Sequence, residues 1–269
     1  YRIIPYIMRY RSDAQNFFED KIEISHTESY LRKLRKKTKM NISMLNVLVA
    51  AMVRTMALMP ALNRFIAGQK IYARNEIIVS LAIKKELKVE SPETTIKFHF
   101  EPTDTLFEVA EKMNKLIMEN KNPENKNDTD KLARIIMLCP GFLIKFIVFL
   151  MRTLDYLGIM PRIINELSPF HASFFITDLG SLGIKPIHHH LYDFGTTSIF
   201  VAFGVKIRER EIDAAGNIKE RKYLPMKIVT DERTVDGHYY ASAFKLFRTL
   251  VQHPERLEDP PENLVPDVD

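Results

Sequence analysis

Apolar residues cluster in the chain with helical spacing in some stretches and with alternation in others, and the two periods separate its elements. From Ile42 to Met59 they are nearly continuous (Met44, Leu45, Val47, Leu48, Val49, Met52, Val53, Met56). Ser43 or Asn41 is available as a cap and Pro60 as a stop, which predicts a helix buried on most sides. Lys21 to Ser25 alternate as a short strand does, and Thr27 caps an expected basic helix through Tyr30, Leu31 and Leu34. Two further strands are predicted over Ile77 to Ile83 and Ile96 to Phe100. After a start at Thr103 or Thr105, residues Leu106, Val109, Ala110, Met113, Leu116 and Ile117 keep a helical period. It ends in the polar loop of about 120–130.

The most hydrophobic stretch, Ile135 to Met151, is split by Pro140-Gly141 and interrupted by Lys145. A spanning helix needs roughly 20 largely uncharged residues. Two helices, buried or docked on a surface, are expected instead. Beyond Pro161 the chain turns to short strands over Ala172 to Thr177, Thr197 to Val205 and Tyr223 to Thr230. The last two are read as a hairpin through Gly216-Asn217. A final helix is marked by Tyr240, Ala243, Phe244, Phe247, Leu250 and Val251. Helices and strands mix without regular βαβ alternation, so the fold class is α+β or a mixed sheet.

With 269 residues and 46% apolar content there is material for a substantial core. The net charge of +5 is scattered along the chain, which argues against a nucleic-acid arm. A single Cys leaves no disulfide framework and no multi-cysteine metal site, and a cytoplasmic setting is the expectation. No secretory signal opens the chain, and without an initiator Met it is expected to start inside a longer reading frame.

The chain holds no G-x-G-x-x-G, phosphate-loop, H-E-x-x-H or G-x-S-x-G pattern. Of His188, His189 and His190 at most two converge if the segment is extended, and no metal site is expected. Cys139 before Pro140 reads as a packed thiol. His26, His99, His171, His238 and His253 read as structural or exposed. The segment Asp231 to Gly237 differs, because charged residues and a turn follow an apolar strand directly and precede an amphipathic helix.

Here the chain resembles the chloramphenicol acetyltransferase-like proteins, including the catalytic domains of 2-oxoacid dehydrogenase dihydrolipoamide acyltransferases. DERTVDG (231–237) is similar to their D-H-R-x-x-D-G, and HPERL (253–257) to their N-P-E-R-L. FITDLGSLG (175–183) resembles F-T-I-S-N-L-G-S-x-G, and MPALN (59–63) resembles F-P-E-L-N. The helical stretch of about 132–166 is longer and more apolar than its counterpart.

The resemblance implies one acyltransferase-like domain over 1–269, a two-layer sandwich built on a mixed sheet. It implies acyl transfer from acyl-CoA, or another acyl-thioester, to a thiol or hydroxyl between subunits of a homotrimer. Coenzyme A thioester is then a substrate and no metal is needed. Thr177 keeps the oxyanion-donating hydroxyl, Asp236 keeps the residue that fixes the loop, and Glu232 replaces the general-base His.

Taking a proton from a thiol near pKa 8.5 is uphill by about 4 units, roughly 6 kcal/mol, for an ordinary Glu, against roughly 3 kcal/mol for His. A Glu232-oriented imidazole from His188, His189 or His190 of a neighbouring subunit, with His189 and His190 the candidates, is one way to restore the base, and His238 at the start of the last helix is another. Three readings follow: an acyltransferase; a catalytically inactive trimeric scaffold or regulatory subunit; and a binder of acyl chains or membrane surfaces through Phe142, Leu143, Phe146, Ile147, Phe149 and Leu150. A core or subunit interface also accounts for that last stripe.

Overall fold

The computed structural model describes residues 3–84, 93–121, 139–212 and 216–267. Most of the predicted 120–130 loop, residues 132–138 of the expected helical elaboration and residues 213–215 lie outside the described residues.

One mixed sheet organises the chain. Its strands are β1 (Gln15–Glu23), β4 (Ile77–Lys84), β5 (Glu93–Phe100), β6 (Phe174–Asp178), β7 (Ile199–Phe203), β8 (Ile207–Ile212) and β9 (Ile218–Asp231). They run in the order β1-β9-β7-β6-β4-β5, and β8 pairs with the first part of β9. The β4–β6 and β6–β7 pairs are parallel and the others antiparallel. A separate hairpin, β2 (Arg64–Ala67) and β3 (Lys70–Ala73), turns through Gly68 and Gln69, both with positive φ. That is the conformation a tight two-residue hairpin requires.

One face of the sheet carries the helices α2 (Ser25–Thr38), α3 (Met44–Leu58), α4 (Leu106–Lys121) and α7 (Gly237–Gln252). Phe174, Ile176, Ile199, Val201, Met226 and Ile228 point into this layer. α3 lies at its centre, which is why its sequence is apolar nearly all round. Ser43 caps α3 in a reciprocal box with Asn46, and Thr105 and Glu108 form the same device ahead of α4. The other face is covered by the irregular segment 184–197.

Three expectations are corrected. Thr27 does not cap α2, which begins at Ser25; its buried hydroxyl donates to the Val251 carbonyl at 2.7 Å and ties α2 to α7. β1 starts at Gln15 rather than Lys21, because pairing with β9 overrides the irregular polarity of Gln15 to Asp20. The hairpin ending in β9 begins at β8, not β7. β8 reads Ile-Arg-Glu-Arg-Glu-Ile and alternates between half-buried and exposed positions, so it has no apolar face to announce it.

α1 (Ile4–Ile7), α5 (Gly141–Leu157) and α6 (Arg162–Leu167) lie outside this frame. Neither α5 nor α6 has a buried residue; α5 is the second of the two helices expected over Ile135 to Met151 and takes the surface alternative, while the first lies outside the described residues. No helix among the described residues is long and apolar enough to cross a membrane.

Candidate functional site

Asp231 ends β9 fully buried, and its carboxylate is the hub of the loop that follows. Arg233 returns Nε to Oδ1 at 2.8 Å and Nη2 to Oδ2 at 2.7 Å, and Arg11 adds Nε to Oδ2 at 3.1 Å. Burial pushes the Arg11 pKa down, and the Asp231 charge opposes that shift. The Asp231 carbonyl accepts from the hydroxyls of Thr234 and Tyr240, both at 2.9 Å. Asp236 caps α7 by accepting the Tyr239 amide at 2.7 Å. Glu232 is held by its own amide, which donates to Ala14 at 2.9 Å, and its half-buried side chain has no hydrogen bond or ion pair among the described residues.

Thr177 lies near the end of β6, on the face opposite the helices. Residues alternate along a strand, so Thr177 shares this face with Phe175, which packs with Leu191, Phe200 and Val229. Its hydroxyl makes no hydrogen bond among the described residues, although Thr177 is buried. Asp178 turns the chain by accepting the Ser181 amide at 3.0 Å, and desolvation raises its pKa against the backbone donors of Ser181 and Gly180. A Cβ on Gly180 would approach the Gly204 carbonyl oxygen to 2.7 Å, so the close passage of the two loops requires glycine there.

The histidine run crosses the same outer face. His188 Nε2 lies 3.2 Å from the Phe18 carbonyl, and its ring meets Phe17 edge-on. His189 stacks on Phe200 at 4.5 Å and 13°, and Phe200 stacks on Phe175 at 4.6 Å and 14°. That column of rings carries His189 onto the face that holds Thr177. His190 is exposed and packs edge-on against Tyr192.

Within one chain the structure does not bring Thr177 and Glu232 together. Thr177 pairs with Ala202, which pairs with Lys227, and Glu232 lies five residues further along the chain. Two strand spacings of about 4.8 Å and five residues of roughly 3.3 Å put the two groups on the order of 20 Å apart. They occupy opposite ends of the sheet.

This strand order, with parallel pairs inside an antiparallel frame and a helical layer on one face, decides the architecture. The chain has the chloramphenicol acetyltransferase-like fold. A probable dihydrolipoamide acetyltransferase from Listeria monocytogenes superposes with a TM-score of 0.62 at 13% identity, over 98% of this chain and 94% of that one. The cubic core of a pyruvate dehydrogenase multienzyme complex gives 0.60 at 14% identity, over 95% and 87%. A chloramphenicol acetyltransferase gives 0.52 at 13% identity, over 92% and 91%. Residues 167–258 match the family model for 2-oxoacid dehydrogenases acyltransferase (catalytic domain). No curated protein matches the chain in sequence.

The matched third of the chain contains Thr177, the histidine run, Glu232 and Asp236. Two groupings escaped sequence reasoning. His171, read as structural or exposed, is buried, with Nδ1 2.8 Å from the Ser168 hydroxyl and Nε2 2.9 Å from Asp155, while the other Asp155 oxygen accepts the Gly195 amide at 2.8 Å. This polar clasp fastens α5 to the loops that precede β6 and β7. His26, His253 and Glu255 meet at the surface beside α2, with Glu255 3.2 Å and 3.3 Å from the two rings. Partners so far apart in sequence leave no spacing signal.

A cavity of about 350 Å³ opens beside the clasp, lined by Arg74, Lys97, Arg162, Glu76, Glu166 and His171 among others. Burial lowers the Arg74 guanidinium to about 10 and the Lys97 amine to about 8. Arg74 Nη2 donates to Thr196 at 2.6 Å, and the Lys97 amine donates to the Asn165 carbonyl.

Proposed function

We propose that the protein is an acyltransferase that moves an acyl group from acyl-CoA, or a related acyl-thioester, to a thiol or hydroxyl acceptor at sites formed between subunits of a homotrimer. The observation that carries this reading is the placement of two unengaged polar groups, the Thr177 hydroxyl and the Glu232 carboxylate, at opposite ends of one sheet. A neighbouring subunit supplies the missing half of each site, and His189 lies on the Thr177 half.

In this reading His189 takes the proton from the acceptor as its sulfur or oxygen attacks the thioester carbonyl. The Thr177 hydroxyl donates to the oxyanion. Glu232 of the neighbouring subunit orients the imidazole and balances its positive charge. Collapse of the tetrahedral intermediate breaks the carbon–sulfur bond, and the departing thiolate recovers the proton from His189. Glu232 then serves as an orienting group, which removes the uphill proton transfer that an ordinary carboxylate faces with a thiol.

The test is thiol release from a panel of acyl-CoA thioesters with small thiol and alcohol acceptors, comparing the protein with Glu232→Gln and His189→Gln. Turnover that falls in both variants, with the trimer intact, is the expected result. A trimer that releases no thiol above buffer across the panel would instead establish the scaffold reading.

A further inference from the structure

α5 is an amphipathic helix mounted with its apolar face outward. Ile144, Ile147, Met151, Leu154 and Asp155 are its half-buried positions, and the Asp155 clasp on His171 and the Gly195 amide holds that side against the body. On the opposite side Phe142, Phe146 and Phe149 are 76%, 61% and 67% exposed, one turn apart, with Leu150 and Leu157 beside them. Isolated exposed apolar residues are ordinary, but a helical stripe of three phenylalanines marks an interaction surface.

A second element with exposed apolar residues lies near the end of α5. Gln69, at the β2–β3 turn, meets the Tyr156 hydroxyl of α5 at 2.9 Å and reaches the Pro5 carbonyl of α1 at 3.4 Å. α1 thus lies at the same corner, and its Tyr6 and Ile7 are 57% and 71% exposed. Beside α5 a cavity of about 210 Å³ is lined by Arg9, Arg152, Arg11 and Arg233, with Asp155 and Asp193. Asp231 balances Arg11 and Arg233. Lys145, Arg152 and Arg9 have no carboxylate partner among the described residues. The one acidic residue of α5, Asp155, is turned inward and committed to the clasp.

An outward apolar stripe flanked by unneutralised cations has the charge and polarity of an interfacial helix on an anionic bilayer. We propose that α5 and α1 form a docking surface for membranes containing anionic phospholipid. The phenylalanines enter the acyl boundary, and Lys145, Arg152 and Arg9 meet the phosphates. The inference is independent of acyl transfer and stands or falls without it.

The experiment is flotation of the full chain with vesicles of phosphatidylcholine alone and of phosphatidylcholine mixed with phosphatidylglycerol, with sedimentation velocity on the same samples. The protein is expected to float with the mixed vesicles, to float far less with the neutral ones, and to detach as salt is raised. Combined Phe142→Ser, Phe146→Ser and Phe149→Ser substitutions, all at exposed positions, are expected to weaken binding at least about tenfold with an unchanged circular dichroism spectrum and oligomeric state. Combined Lys145→Glu and Arg152→Glu are expected to abolish the preference for anionic vesicles. The proposal is overturned if the protein fails to float with mixed vesicles, or if it binds both vesicle types equally. It is also overturned if the serine substitutions leave binding unchanged or dissociate the oligomer, which would show the stripe to be covered by a second copy.

Discussion

Arg233 folds back onto Asp231, two residues earlier in the same loop, and closes a two-pronged ion pair with contacts of 2.8 Å and 2.7 Å. The planar guanidinium fork matches the carboxylate, and both side chains are almost fully buried. Arg11 completes the hub from the opposite end of the chain and donates to the carbonyls of Tyr192 and Gly195. The loop bearing Glu232 therefore has its shape imposed from beneath, and the Glu232 side chain takes no part in holding it.

Removing the hub's charge leaves two buried guanidinium groups without a counter-ion. Asp231→Asn is accordingly expected to destabilise the fold by about 3–5 kcal/mol. Urea denaturation measures this, and an unchanged midpoint would show that the loop is held by packing alone.

The cap on α7 is a smaller and separable contribution. Asp236→Ala leaves the Tyr239 amide without its acceptor and is expected to cost about 1 kcal/mol, whereas Asp236→Asn retains an acceptor oxygen and most of the stability. Thermal unfolding of the pair makes the comparison.

Lys97 gives the clearest pH signature. Burial disfavours its charged form and brings the folded-state pKa to about 8 from 10.5. The unfolded chain therefore binds more protons between those values, and this group's contribution to stability rises as pH increases from about 8 to 10.5. At pH 8 roughly half of the Lys97 amines are neutral, against well under 1% for an ordinary lysine. Mass-spectrometric mapping of amine acetylation is expected to find Lys97 labelled with a half-maximum near pH 8, within the limits of reagent access to the cavity. Labelling that keeps rising to the range of the other lysines would refute the shift.

If Thr177 donates to an oxyanion, Thr177→Val removes the donor while preserving shape, and a fall in turnover of about 10²–10³ with unchanged folding is expected. Mixing supplies the stronger test. If, as proposed, the chain forms trimers in which each site draws on two subunits, trimers assembled at random from Thr177→Val and Glu232→Gln chains would regain about a quarter of the sites with both native groups. Activity recovered on co-expression, and absent from either variant alone, is the expected outcome; a site contained within one chain would show no recovery.

Several features were legible in the order of residues alone. The buried α3, the capped α4, the strands β4, β5 and β6, and the helix after Gly237 all follow from local periodicity and capping, which act within a few residues. The motif strings around Thr177 and Asp236 pointed to the fold, and the superpositions agree. β8 escapes local patterning because a strand that alternates only between half-buried and exposed positions needs no apolar side, and the role of Thr27 escapes it because its hydroxyl meets a carbonyl 224 residues away in sequence.

By itself the sequence determined the strongly periodic helices and the apolar strands, and which residue types stand at the motif positions, since those depend on neighbours along the chain. Only the tertiary structure decided where the charges and faces go. The Arg11–Asp231 contact spans 220 residues, the Asp155–His171 clasp joins α5 to the loop before β6, and the register sets Thr177 and Glu232 at opposite ends. The apolar stretch at 141–157 carries the same letters whether its phenylalanines face a core or solvent; in the folded chain Asp155 is clasped on the inward side and the phenylalanines are exposed on the other. Long-range pairing depends on which distant groups are buried together, and no local pattern encodes it.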